Sequence, residues 1–296
     1  MIRYPNALED IEAKISKTWL TKARKRTEVL QLLGWYAEEH TDSKGTLKKL
    51  PPFWSDVKDI FVRHQYYKCA YCETLLEGGD RGSVQWDIEH FRPKSNVRPW
   101  PSPKSGLIEK YRGRTLGDAS SGYHLLAYCY SNYAVVCKSC NNRKSDHFPI
   151  AGTRIGAGLT PADYVDEGAY LIHPLGTNGM DPANLITFDG VEAIAKYSEA
   201  RNKDLWQQAN IIVDLFELNR DGLQRMRANW LYHAVWPEVK LSDNGDAEAT
   251  ENLRLAQKEG SPYSGCATCF IELCSSDRPQ ALEKVTIFKQ ILEIFE

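Results

Sequence analysis

The sequence predicts an α+β protein, mainly α, and three observations carry that prediction. Apolar residues recur at helical spacing near both ends of the chain. The stretch Leu185-Ile186-Thr187-Phe188, Asp189-Gly190, Val191-Glu192-Ala193-Ile194 reads as a β-hairpin. Two Cys-x-x-Cys pairs, Cys69 with Cys72 and Cys137 with Cys140, bracket an insertion whose ends a shared metal would fasten together.

In chain order, residues 8–39 place Leu8, Ile11, Ile15, Trp19, Leu30 and Leu33 near helical spacing. Lys14, Lys17, Lys22, Arg24, Lys25 and Arg26 lie on the polar face, with no acid between Lys14 and Arg26. This predicts a basic amphipathic helix or helix pair, its polar face either solvated or set against phosphate. Residues 41–52 read as a linker and 53–66 as a second helix leading into Cys69. Residues 91–122, rich in Pro, Ser and Gly, read as a long loop with seven Lys or Arg against one acid, Glu109, between Arg92 and Arg114. Loops of that length are uncommon unless they bind something. A nucleic-acid backbone suits the charge, and a simply disordered loop is the alternative.

The pattern changes after residue 149. Asp189-Gly190 suits a type I′ turn. Helical spacing follows in Leu205, Ala209, Ile212 and Phe216, then in Leu223, Met226, Trp230 and Ala234, with Asn219 placed to cap the second helix. Residues 243–251 read as an acidic loop, and Leu282, Val285, Phe288, Ile291 and Leu292 mark a final helix. The expected regions are an amino-terminal helical one (1–66), a cysteine-bracketed module (67–150) and a carboxy-terminal helical one (151–296).

Composition narrows the function classes. At 42% apolar and 26% charged residues the 296-residue chain has an ordinary globular balance. No stretch approaches the roughly 18 uninterrupted apolar residues of a membrane span, and the opening residues lack a secretory pattern, so no membrane association and a cytoplasmic location are expected. Eight cysteines should then stay reduced, which favours metal ligation over disulfides. A net charge of −2 argues against a general nucleic-acid-coating protein but allows a local basic groove.

The chemistry concentrates between residues 69 and 149. Two Cys-x-x-Cys turns let four thiolates reach one tetrahedral Zn²⁺ at ~2.3 Å, a structural site; four paired core cysteines are the plainer alternative. Inside the insertion lies Trp86-Asp87-Ile88-Glu89-His90-Phe91-Arg92-Pro93-Lys94. A carboxylate beside a histidine suits phosphodiester hydrolysis: the acid holds a divalent cation, and the imidazole, with a pKa near ~6.5, takes a proton from the attacking water. Asn132 follows, then Cys137-Lys138-Ser139-Cys140-Asn141-Asn142-Arg143-Lys144 and Phe148-Pro149.

This order of acid-His, Asn and Cys-x-x-Cys-Asn-x-x-Lys resembles the HNH endonuclease superfamily over about eighty residues. The resemblance implies a zinc-stapled ββα-metal module and a metal-dependent nuclease, acting on DNA or alternatively on RNA. It implies His90 as general base, Glu89 and Asn141 as ligands of a catalytic Mg²⁺ or Mn²⁺, and Asn132 as the residue orienting His90. A non-catalytic zinc module that binds nucleic acid or protein is the rival. A more extended layout is similar to the HNH subunits of Septu-type and retron-associated anti-phage systems, which work beside an ATPase with an ABC-like fold. It runs through Gly122-Tyr123-His124-Leu125-Leu126-Ala127-Tyr128, His173-Pro174, Asp181-Pro182-Ala183-Asn184-Leu185 and Leu218-Asn219-Arg220. That likeness implies a defence role and an ATPase partner.

Other residues carry weaker expectations. Asp87 would share a strand face with Glu89, as an extra ligand or a support. Lys144 and Arg92 are candidates for the scissile phosphate, and Lys94, Arg143 and Arg98 for nucleic-acid contact. His147 is a candidate for the catalytic metal or a phosphate, against the commoner surface histidine. Cys266, Cys269 and Cys274 suggest a second zinc site, but no fourth ligand stands at suitable spacing, and Cys266, Cys269 and Phe270 fit the buried stripe of a helix better; His124 and Cys129 read as packing residues.

Overall fold

The computed structural model describes Tyr4 and residues 7–78, 83–176 and 180–294. The basic amino-terminal segment is a helix pair, α1 (Ala7–Lys14) and α2 (Lys17–Leu33). Ser16 divides them, its side chain capping α2 by accepting from the Trp19 amide at 3.1 Å. The expected linker is instead a short hairpin, β1 (Glu39–Thr41) with β2 (Leu47–Lys49). Asp42 closes its turn by accepting from the Lys44 and Thr46 amides, a use of Asp that the local pattern did not reveal. A 3₁₀ turn, Trp54–Val57, runs into α3 (Lys58–His64), as the apolar spacing implied.

The centre of the chain is a two-stranded antiparallel sheet followed directly by a helix. Strand β3 (Trp86–His90) pairs with β4 (Tyr133–Cys137), with Glu89 opposite Ala134 and His90 opposite Tyr133. Helix α4 (Lys138–Lys144) begins at Cys137. Beyond the sheet, the Gln65 side-chain amide pairs with the backbone of Val135, donating to its carbonyl and accepting from its amide, both at 2.8 Å. Trp19 anchors α2 on this unit through an edge contact with Tyr133 and a hydrogen bond to the Phe53 carbonyl.

Residues 91–122 lack regular elements, but Val97, Trp100 and Tyr111 are buried and most of the cations are spent within the chain. Lys110 pairs with Asp214, Arg112 with Glu109, and Arg114 with Glu199 and Gln207. Gly122 ends the excursion at φ +79°, where a Cβ would lie 2.6 Å from the Asn96 amide nitrogen. The segment is the long irregular loop expected, and several of its charges are engaged inside the protein, Lys110 and Arg114 with the carboxy-terminal region.

In the carboxy-terminal part, β5 (Ile186–Asp189) pairs with β6 (Glu192–Ala195) with Asp189 opposite Glu192, so the turn residues are Gly190 and Val191. Only Gly190 of these two has positive φ, which makes the turn of the II′ kind rather than I′. Helices α5 (Lys203–Leu215), α6 (Asp221–Trp230) and α7 (Trp236–Asp243) follow. A π turn, Leu231–Val235, joins the last two just before Pro237, which lacks the N–H that a regular helix needs there. Asn219 does not cap α6. Its amide instead pairs with the Ala193 backbone at 2.7 and 2.8 Å, acting as one residue of an extra strand. The expected acidic loop begins α8 (Ala247–Ala256), capped by Asp246. Helices α9 (Ser264–Ser276) and α10 (Arg278–Glu293) complete the chain, with Cys266 and Cys274 buried along α9 and Phe288 buried on α10. The buried apolar core is continuous from Tyr4 to Phe288, and Tyr71 stacks on Phe216 with ring centroids 3.9 Å apart.

Candidate active site

The antiparallel register brings the two cysteine pairs together. Cys137 ends β4 and Cys140 lies in the first turn of α4, while Cys69 and Cys72 sit on the turn that returns beside Val135. All four sulfurs lie within 4.8 Å of one another, and Cys72 Sγ is 3.8 Å from Cys137 Sγ. Four ligands at ~2.3 Å in a tetrahedron stand ~3.8 Å apart, so the donor set fits zinc in chemistry and spacing. Arg220 faces this cluster. Burial opposes its charge, but the neighbouring Cys140 and Cys72 outweigh that and raise its pKa. A guanidinium there offsets the negative charge of four thiolates, a role its sequence position did not announce.

On the same unit, Glu89, His90, Lys94, Asn141, Asn142, Asp146 and Trp54 line a cleft of about 460 Å³. His90 ends β3 with its Nε2 3.0 Å from the Ala127 carbonyl, which also accepts from the Tyr133 hydroxyl at 2.6 Å. A carbonyl can only accept, so Nε2 carries the proton and Nδ1 keeps a free lone pair. Trp54 and Tyr133 meet the imidazole edge-to-face at 4.9 and 5.0 Å. Burial, reinforced by the Lys94 charge, pushes the His90 pKa down to about 3, so the ring is neutral at pH 7.

Asn141 donates from Nδ2 to Asp87 Oδ2 at 3.0 Å, which leaves its amide oxygen as a free acceptor at the cleft. Asp87 is thus a support for Asn141, and Lys138 completes its environment at 2.6 Å. Glu89 is buried, and burial raises its pKa against the opposing pull of Lys144, whose ammonium forms an ion pair with it. Glu89 and Asn141 are oxygen donors of the kind that suits a hard divalent cation, with remaining positions left to water and substrate.

Several expected roles are corrected by this geometry. Lys144 is fully buried, donating to Glu89 and to the His90 carbonyl at 3.0 Å, so it cannot meet a phosphate without leaving the core. Arg92 is also buried: it pairs with Glu167, donates to the Tyr164 carbonyl at 3.0 Å and lies among the rings of Tyr123, Phe148 and Tyr164. Asn132 makes no hydrogen bond to His90 among the described residues. Its side chain clamps the backbone of Arg92, accepting from the amide at 2.9 Å and donating to the carbonyl at 3.0 Å. Arg143 bonds Glu217 and Ser139, and His147 is turned to the Arg98 carbonyl at 3.2 Å, outside the cleft lining. Arg98 stands at the rim, half exposed, bonding Ser145 and Asp146. Lys94 alone of the five cations lines the cleft. Trp54 and the Ala127 carbonyl were not foreseen as parts of the site, because a backbone carbonyl and a ring on a helical segment carry no chemical signature in the sequence.

Cys266 donates to the Gly190 carbonyl and Cys269 contacts Thr187, and no second cysteine cluster occurs among the described residues. His124 is buried, and Cys129 bonds Ser131. No helix among the described residues is long and apolar enough to cross a membrane. No protein-family model, curated protein or solved structure matches the chain.

Proposed function

We propose that this chain is an HNH-type, metal-dependent endonuclease that hydrolyses phosphodiester bonds. The observation that carries the reading is one cleft lined together by a neutral His90, by Glu89 and by Asn141, on a strand pair and helix backed by four clustered cysteines. His90 Nδ1 takes a proton from the attacking water, while the Ala127 carbonyl fixes the ring's tautomer. Lys94 offers positive charge where the phosphate would sit. A Mg²⁺ or Mn²⁺ ion held by Glu89 and Asn141 would supply Lewis-acid stabilisation of the phosphoryl oxygens. A Zn²⁺ held by the four cysteines would be structural. The family likeness extends the proposal to DNA as substrate, an anti-phage role and an ABC-like ATPase partner.

The test is cleavage of plasmid DNA, with total RNA digested in parallel, by parent and His90→Ala protein in Mg²⁺ or Mn²⁺. Loss of a general base should slow cutting by ~10²–10⁴-fold. Circular dichroism spectra of the two proteins should coincide, as expected if the fold survives the substitution. Equal rates for the two proteins would defeat the assignment.

A further inference from the structure

The cleft has an aromatic wall that the proposed hydrolysis does not use. Trp54, carried on the 3₁₀ turn before α3, lines the cleft beside His90 and is only partly buried. Tyr36, just beyond the end of α2, lies against it with centroids 6.2 Å apart, also partly buried. Lys94 Nζ hangs between the two rings, 4.9 Å from the Trp54 centroid and 5.1 Å from that of Tyr36. Behind them Tyr128 meets Trp54 at 5.7 Å and accepts a hydrogen bond from Arg26 at 3.0 Å. Lys22 stands 3.9 Å over Phe53. The cleft is thus edged by two partly exposed rings, Trp54 and Tyr36, backed by the buried rings of Tyr128 and Phe53, on which Arg26 and Lys22 of α2 lie.

Rings that served packing alone would be closed off by neighbouring apolar groups. Here two partly exposed rings border an ammonium and a polar cleft, the combination that binds a single nucleic-acid strand: cations follow the phosphates while bases lie on aromatic faces. A base still paired in a duplex is stacked between its neighbours and has no free face to offer.

We propose that Trp54 and Tyr36 form a stacking subsite for the nucleobase next to the scissile phosphate, with Lys94 on that phosphate, so the substrate is a polynucleotide strand unpaired at the cut. This rests on the nuclease reading and names the substrate class of that site. DNA and RNA strands offer the same chemistry, and the test below separates them.

The experiment measures two things on fluorescein-labelled 20-mers, as single-stranded DNA, single-stranded RNA and duplex DNA of one sequence. The first is binding anisotropy with no added divalent cation and no chelator, so that the cysteine-held metal is left in place, using His90→Ala protein alone and combined with Tyr36→Leu or Tyr36→Phe. The second is cleavage in Mg²⁺ or Mn²⁺ by otherwise parental protein. Tyr36 is chosen because Trp54 touches His90, so replacing Trp54 would disturb the base as well. Single strands should bind at least about five-fold more tightly than duplex, Tyr36→Leu should remove that preference, and Tyr36→Phe should keep it. The same order is expected in KM, with kcat little changed. Cleavage with equal use of duplex and single strand, or a Tyr36→Leu protein that binds like its parent, overturns the subsite while leaving the nuclease standing. Tyr36-dependent binding of single strands without cleavage in any metal overturns the nuclease reading and keeps the subsite. Absence of both binding and cleavage overturns the two together.

Discussion

Replacing Asn132 distinguishes the clamp described here from a direct part in catalysis. The side chain is fully buried and holds both backbone polar groups of Arg92, the amide at 2.9 Å and the carbonyl at 3.0 Å; its third bond, to the Leu126 carbonyl, is long at 3.4 Å. Asn132→Ala leaves the two Arg92 groups unpaired in the interior, each costing ~1–3 kcal/mol, so a loss of about 3 kcal/mol is expected. In a protein of 296 residues that corresponds to a melting temperature roughly 5 °C lower. Asn132→Asp should be no better, since a carboxylate can accept from the amide but turns a negative charge toward the carbonyl. The assay is thermal unfolding of the three proteins, followed by plasmid cleavage well below the lower melting point. Because the Ala127 carbonyl, not Asn132, holds His90, cleavage at that temperature should persist within about ten-fold of the parent, short of the loss expected for a general base. An Asn132→Ala protein as stable as the parent to within ~0.5 kcal/mol but devoid of cleavage would refute the clamp and make Asn132 part of the chemistry.

Two further outcomes follow from the same geometry. Purified protein should carry one zinc per chain by plasma emission spectroscopy, lost together with the cooperative melt on Cys137→Ser substitution or on treatment with a strong chelator; a metal-free protein with the parent's melting curve would show that the four sulfurs are core residues only. Stability should also fall as the medium is acidified. Burial, aided by the Arg92 charge, pushes the His173 pKa down to about 4, and its Nδ1 accepts from the Leu175 amide at 3.2 Å, which requires the neutral ring. Unfolded His173 takes up its proton near pH ~6.5 while the folded chain refuses it until about pH 4, so this residue's contribution is complete above ~6.5 and falls by about 3 kcal/mol across that window. Denaturant midpoints at pH 7 and pH 4.5 should differ less in His173→Gln than in the parent, and equal differences would exclude His173 as the cause.

What the sequence disclosed was local in character. Cys-x-x-Cys spacing announced the sulfur cluster, and alternation around Asp189-Gly190 announced the last hairpin, though with its turn displaced by one residue. Helical spacing located α2, α5 and α10, because one buried face suffices to mark a helix. The destinations of charged side chains were not legible. Arg92 finds Glu167 and Lys144 finds Glu89 across 75 and 55 residues, and a cation that enters the core carries the same letter as one that meets phosphate. Asn219 and Gln65 were equally opaque, since an amide that imitates a strand needs a neighbour chosen by the tertiary fold. The wall of the cleft was hidden for the same reason: Trp54 reaches His90 through the docking of an entire helical segment.

The sulfur cluster has a topological consequence. Its halves stand on either side of a 65-residue excursion, Cys72 to Cys137, and that excursion contains His90, Lys94, Asn132 and the Ala127 carbonyl. Anything that parts the sulfurs therefore frees both ends of one closed ring at the same moment. The cleft should disassemble as a unit, so partially oxidised preparations would be mixtures of intact and wholly disorganised molecules rather than uniformly weakened ones.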